Sequence, residues 1–136
     1  MSKFVLMMIL SVVSNSAMAE WEKIRTTDDG FQNNYVDRNS IQKNNHIANM
    51  WSLINFKKTQ PLEESPSPMF YKSIAQRFDY DCNKKQYRMT AYNYYSDKSG
   101  LGDIVIGDSN LENSDWQKVA PDSFQEGLWR IACGKK

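Results

Sequence analysis

The sequence is short of the residues on which most catalytic chemistry rests. In 136 residues it has one histidine, His46, and two cysteines, Cys82 and Cys133. A nucleophile needs a base beside it, and His46 opens an apolar segment with no serine in an elbow motif to serve. Two thiols and one imidazole at these spacings match no common zinc pattern. Glycine is also scarce, and the run GLGDIVIGD lacks both the spacing of a dinucleotide loop and a surrounding βαβ unit. Asp79 and Asp81 sit two apart on one face of a strand, whereas a glycosidase pair must flank a cleft. Asp97, Asp103 and Asp108 follow no EF-hand order, so a cation in the Asp-rich loop 97–110 has no pattern behind it. The expectation is a protein that is not an enzyme and uses no cofactor and no metal.

Long hydrophobic runs are missing, except at the start. In MSKFVLMMILSVVSNSAMA one lysine precedes a mostly apolar run from Phe4 to Val13, then a polar break, then Ala17-Met18-Ala19. That is the layout of a secretory signal peptide cut after Ala19. The run is about half the roughly twenty residues that a membrane span needs. No cysteine follows the cut, so no lipid anchor is expected, and no second stretch is long enough to span. The expected division is a leader over 1–19 and one domain over 20–136.

Charge of one sign is missing as well. The chain has 17 Lys+Arg and 16 Asp+Glu, and Lys3 leaves with the leader, so the exported part is balanced. Balance removes any global pull toward nucleic acid or an anionic membrane. An electrostatic partner would have to be met by a local patch.

What the exported part does have is aromatic residues: four Trp, seven Tyr and all but one of the six Phe. These favour strands. Trp21–Thr27 reads as a first strand, TTDDG as a hairpin turn, and FQNNYVD as a second strand. RNSIQKNN reads as a turn or one helical turn. HIANMWSLINFKK has apolar residues on both alternations, as in a central strand. TQPLEESPSP holds three of the four prolines and reads as a loop. MFYKSIAQRFDYDC returns as a strand, CNKK turns it, and QYRMTAYNYYS goes back. Strict alternation puts Tyr87, Met89, Ala91 and Tyr95 on one face, with Arg88, Thr90, Tyr92 and Tyr94 on the other. The stretch 97–116 reads as a mobile loop flanking a short IVI strand, and WQKVA as an edge strand. PDSFQEGLWRIACGKK reads as a helix. Pro121 suits its first position, Ser123 and Glu126 form a capping box, Phe124, Leu128, Ile131 and Ala132 make its apolar stripe, and Gly134 ends it.

The fold expected is therefore α+β: an antiparallel meander of about five to six strands with a C-terminal helix packed on it. Export favours a disulfide between Cys82 and Cys133, which closes a loop of about 50 residues and contributes up to ~4 kcal/mol. The basic and aromatic residues of the hairpin, Lys84, Lys85, Tyr87, Arg88, Tyr92 and Tyr94, are the candidate partner-binding residues. Tyr and Arg are among the side chains that dominate interface energies.

In order along the chain, Trp21, NYVDRNSI, MWSLINF, KSIAQRFDYDCNKKQYR, YYSDKSGLG and WQKVAPDSFQEGLWRIAC resemble the bacterial surface-adhesin E family. The resemblance covers nearly all of residues 20–136, including a cysteine-bearing strand joined to a C-terminal cysteine. It implies an exported antiparallel sheet with a C-terminal helix. It also implies a protein partner, such as the host matrix proteins vitronectin and laminin, and a capacity to dimerise. The chain departs from the lipoprotein that gave the family its name in lacking a lipid-anchor cysteine. The function expected is an exported non-enzymatic binding protein, a surface adhesin; the alternative is a soluble periplasmic accessory or inhibitor protein of the envelope.

Overall fold

A computed structural model describes residues 19–63, 66–111 and 113–136. The expected leader lies outside these residues apart from Ala19. Among the described residues the strands are β1 (Glu22–Thr26), β2 (Gln32–Asn44), β3 (Ile47–Pro61), β4 (Phe70–Asp81), β5 (Gln86–Tyr95), β6 (Ile104–Asp108) and β7 (Gln117–Lys118). A helix, α1 (Phe124–Cys133), follows them. The first six strands lie side by side in chain order, and the two-residue β7 shares the outer edge of β5 with β6. Every pairing is antiparallel, as the meander expectation requires.

Three segments differ from the sequence reading, each for a local reason. RNSIQKNN is not a turn: β2 runs through it to Asn44, with its register shifting between Asp37 and Gln42. Ser40 Oγ donates to the Asp37 carbonyl at 2.6 Å and accepts the Trp51 N–H at 2.9 Å, so a hydroxyl replaces a ladder bond. Turn-forming chemistry is spent on a bulge inside a strand. In TQPLEESPSP, β3 extends to Pro61, which pairs with Phe70 at the strand end, where a missing N–H costs little. The stretch after Tyr95 is held on the sheet. Ser73 Oγ donates to the Asp97 carbonyl at 2.6 Å, and Asn55 Oδ1 accepts the Ser99 N–H at 2.7 Å. Lys98–Gly100 form a 3-10 turn there.

The helix packs on one face of the sheet, called the front here. From the sheet come Val36, Ala48, Met50, Phe78 and Tyr80; from the helix come Leu128, Trp129 and Ala132. Ser123 caps the helix by accepting the Glu126 N–H at 3.1 Å. Pro121 lies two residues ahead of that cap, outside the first turn. Gly134 takes φ 67° and turns its N–H back to the carbonyls of Arg130 and Ile131, a left-handed stop for which glycine has no steric penalty.

Cys82, just after β4, and Cys133, the last helical residue, form the disulfide with their Cα atoms 5.6 Å apart. One residue earlier, the Asp81 carbonyl accepts the buried Trp129 indole N–H at 2.9 Å. Tyr80 beneath is fully buried, its hydroxyl has no hydrogen-bond partner among the described residues, and burial pushes its phenol well above the usual range.

Cys82→Ser and Cys133→Ser are expected to lower the melting temperature by the same amount, several degrees, because each removes one cross-link worth up to ~4 kcal/mol. The double variant should be no worse than either single one. Calorimetry of the three proteins checks this, and titratable thiols in the native protein would contradict the cross-link.

Candidate functional site

The six hairpin residues start from the turn between β4 and β5. Asp81 shapes it: its Oδ1 accepts the N–H groups of Asn83 and Lys84 at 3.0 and 2.9 Å, and its carbonyl accepts that of Lys85 at 3.0 Å. Lys85 completes the turn at φ 54°. Lys84 is left exposed at the tip.

Lys85 turns inward. Its Nζ donates to Glu126 Oε2 at 2.5 Å and lies 5.4 Å from the centroid of the Trp129 ring. The hydrogen bond from Lys85 holds the Glu126 carboxyl below its ordinary range, with Arg130 adding to the effect. Tyr87 also faces the helix. It packs edge-on to Phe78 and donates its hydroxyl proton to Gln117 Oε1 at 3.1 Å, which pins β7.

A bulge then reverses the pattern. Phe78 pairs with Met89 but Arg77 pairs with Ala91, so Thr90 is an extra residue on β5 and alternation inverts there. The Thr90 hydroxyl stabilises the bulge by donating to the Arg77 carbonyl at 3.2 Å and accepting from Arg77 Nε at 2.9 Å. Tyr92 and Tyr94 therefore pair with Gln76 and Ile74 on the front face, while Arg88 pairs with Asp79 on the back. The expectation that both tyrosines share a side with Arg88 is corrected by this one residue. Ala91 and Tyr95 likewise move to the back face, away from Tyr87 and Met89.

The structure thus splits the candidates into three groups. Lys85 and Tyr87 hold the helix and β7 to the hairpin. Tyr92 and Tyr94 join an edge-to-face chain of rings on the front, with centroids of Tyr92 and Tyr94 5.7 Å apart and those of Tyr94 and Tyr71 4.7 Å apart. Arg88 enters a back-face cluster that strand patterning did not assemble. Its guanidinium sits 4.4 Å from the Trp116 ring and bonds Asp79 Oδ2 at 3.2 Å. Beside it Arg77 lies 5.9 Å from the Trp51 ring. All five of these side chains are half-buried. Arg88 and Trp116 are far apart in the sequence, and only the loop after β6 joins them.

With the geometry in place, a family model described as surface-adhesin protein E matches residues 21–134. The chain belongs to this family. The family's match spans both cysteines and every strand described above. The structure of Haemophilus influenzae protein E aligns with a TM-score of 0.59 at 20% identity, covering 82% of this chain and 83% of that one. A second crystal form of that protein gives the same score and identity, with 82% and 87% covered. Protein E from non-typeable Haemophilus influenzae again gives 0.59 and 20%, with 82% and 75% covered. At that identity the likeness speaks for the fold. No curated protein sequence matches the chain. Among the described residues no group of His, Cys, Asp and Glu could hold a metal ion, and no helix is long and apolar enough to cross a membrane.

The Lys85–Glu126 contact predicts a pH dependence. A carboxyl held below its ordinary value of 4.5 contributes stability that is fully present above that value and is lost as pH falls through the lowered one. Glu126→Gln should therefore flatten the acid limb of the stability curve below about pH 5 and lower stability at pH 7. Urea titrations at a series of pH values check it; parallel acid limbs for the two proteins would contradict the coupling.

Proposed function

We propose that the chain is an exported, non-enzymatic binding protein that acts as a surface adhesin and contacts host extracellular-matrix proteins of the vitronectin and laminin class. Family membership supports the adhesin part. The contact face is proposed from one observation, the paired Arg77–Trp51 and Arg88–Trp116 stacks on the back of β3–β5. Half-buried Arg on Trp presents a planar donor fork already held in position, which lowers the ordering cost of binding. Tyr, Trp and Arg are also the side chains most often found to carry interface energy. Lys84 at the exposed tip adds a charge that can steer an acidic partner. In this reading Lys85 and Tyr87 support the face by fixing the hairpin, and Tyr92 and Tyr94 lie on the other side of the sheet.

Two measurements test the reading. Antibody and protease accessibility on intact cells should show the protein at the surface; release only with a periplasmic extract would replace the adhesin reading with an envelope-accessory role. Arg77→Ala with Arg88→Ala should weaken binding to immobilised vitronectin or laminin by about 2 kcal/mol or more while leaving circular dichroism unchanged. Unchanged affinity would remove the back face from consideration.

A further inference from the structure

On the front of the sheet, beyond the first turn of α1, lies a cleft of about 210 Å³. The helix covers only part of this face, so the cleft opens where Phe124, Gln125 and Leu128 end the helix contact. Its polar lining comes from separate elements: Arg25 on β1, Gln32 and Asn34 on β2, Ser52 on β3, Gln76 on β4 and Gln125 on α1. Register explains the convergence. Asn34 alternates with Val36, whose side chain is in the front core, and Ser52 pairs directly with both Val36 and Gln76.

These groups have unspent hydrogen-bonding capacity. Gln125 Oε1 is buried with no hydrogen-bond partner among the described residues. Asn34, also in the lining, is only 4% exposed. A buried acceptor left unpaired costs stability, and a ligand hydroxyl that donates to it would recover that loss. Ser52 Oγ has one long contact, to the Gln76 carbonyl at 3.4 Å. Arg25, exposed at the mouth, lies 4.8 Å from the Phe124 ring centroid. No carboxylate and no lysine lines the cleft among the described residues. The floor of the cleft is formed by β2, β3 and β4, each paired on both sides, so a ligand there is met by side chains and not by strand addition.

We infer that this cleft binds a polyhydroxylated ligand of one sugar ring, with the amides of Asn34, Gln76 and Gln125 pairing its hydroxyl groups. An amide offers donors and an acceptor in one plane, which suits hydroxyls that both give and take a proton. A pyranose also has apolar C–H faces. Leu128, Ile54 and the Phe124 ring supply an apolar wall. The pattern of a largely apolar wall with a few convergent polar groups is that of a small-molecule site. The inference does not rest on the adhesin reading, because it concerns the opposite face of the sheet.

The test is a titration of the purified, isotope-labelled protein with the methyl glycosides of glucose, galactose and mannose and with N-acetylglucosamine, followed by amide NMR. A saturable response in the side-chain amide signals of Asn34, Gln76 and Gln125 is expected for at least one sugar. Gln76→Ala and Gln125→Ala, both at partly exposed positions, should each weaken it about tenfold, the loss of one or two hydrogen bonds. Asn34→Leu, which removes the amide at similar volume, should abolish it while leaving circular dichroism unchanged. No saturable response to any of the sugars would overturn the inference, as would a response that survives all three substitutions. A response to an acetylated dipeptide amide and to none of the sugars would also overturn it and give the cleft to a peptide.

Discussion

The rest of the structure depends on the clamp that ties α1 to the end of β4. Three contacts converge on residues 81–85: the Cys82–Cys133 bond, the Trp129 indole on the Asp81 carbonyl, and Lys85 on Glu126 and Trp129. A ten-residue helix is too short to be stable in water by itself. It exists because it covers Val36, Met50, Phe78 and Tyr80, and each large side chain so buried is worth about 1.5–3 kcal/mol. A sheet with one face bare would leave those residues in solvent. The half-exposed Lys85 contact contributes far less than burial or the cross-link. Its part is to fix where the turn sits, and the disulfide and the core supply the stability.

Bulges then decide what each face presents. A regular meander of this length would carry its side chains in two unbroken alternations. Here the register shifts in β2, in β3 and in β5, at Ser40, beyond Asn55 and at Thr90. Two of these sites hold a hydroxyl that bonds the neighbouring backbone. That is why most of the fold was legible from alternation and turn residues while the faces of β5 were not. Strand identity depends on local composition, which the sequence displays. Facing depends on counting residues past a bulge, and threonine inside a strand looks like any other β-branched residue. The same limit explains RNSIQKNN, whose Asp, Asn and Ser read as a turn and serve as a bulge.

The candidate site was legible in part for a related reason. The charged and aromatic residues of the hairpin stand out in the sequence, but which of them are already engaged is settled by elements far away in the chain. Glu126 engages Lys85 and Gln117 engages Tyr87, whereas Trp116 stacks on Arg88 without consuming its full donor fork. No local pattern ties Arg77 to Trp51 either; they meet because β3 and β4 pair them in register. The amides of the front cleft are the least visible of all. Asn and Gln in strands read as solvated positions, and Asn34 is buried only because the sheet and helix close around it.

The two faces of the sheet therefore carry different chemistry on the same strands. Gln76 and Arg77 are neighbours on β4, yet one lines an amide-rich cleft and the other a cationic, aromatic surface. The back is broad and holds paired cation–ring stacks, which suits a protein surface. The front is a concave recess with amides, an arginine at its mouth and no acid, which suits a small polyhydroxylated ligand. Because side chains on opposite faces communicate only through a backbone locked in the middle of the sheet, each face can be altered while the other keeps its geometry. The clamp makes that separation hold. It fixes the helix over the front core, so the recess keeps its depth, and it fixes the hairpin turn, so the back stacks keep their spacing.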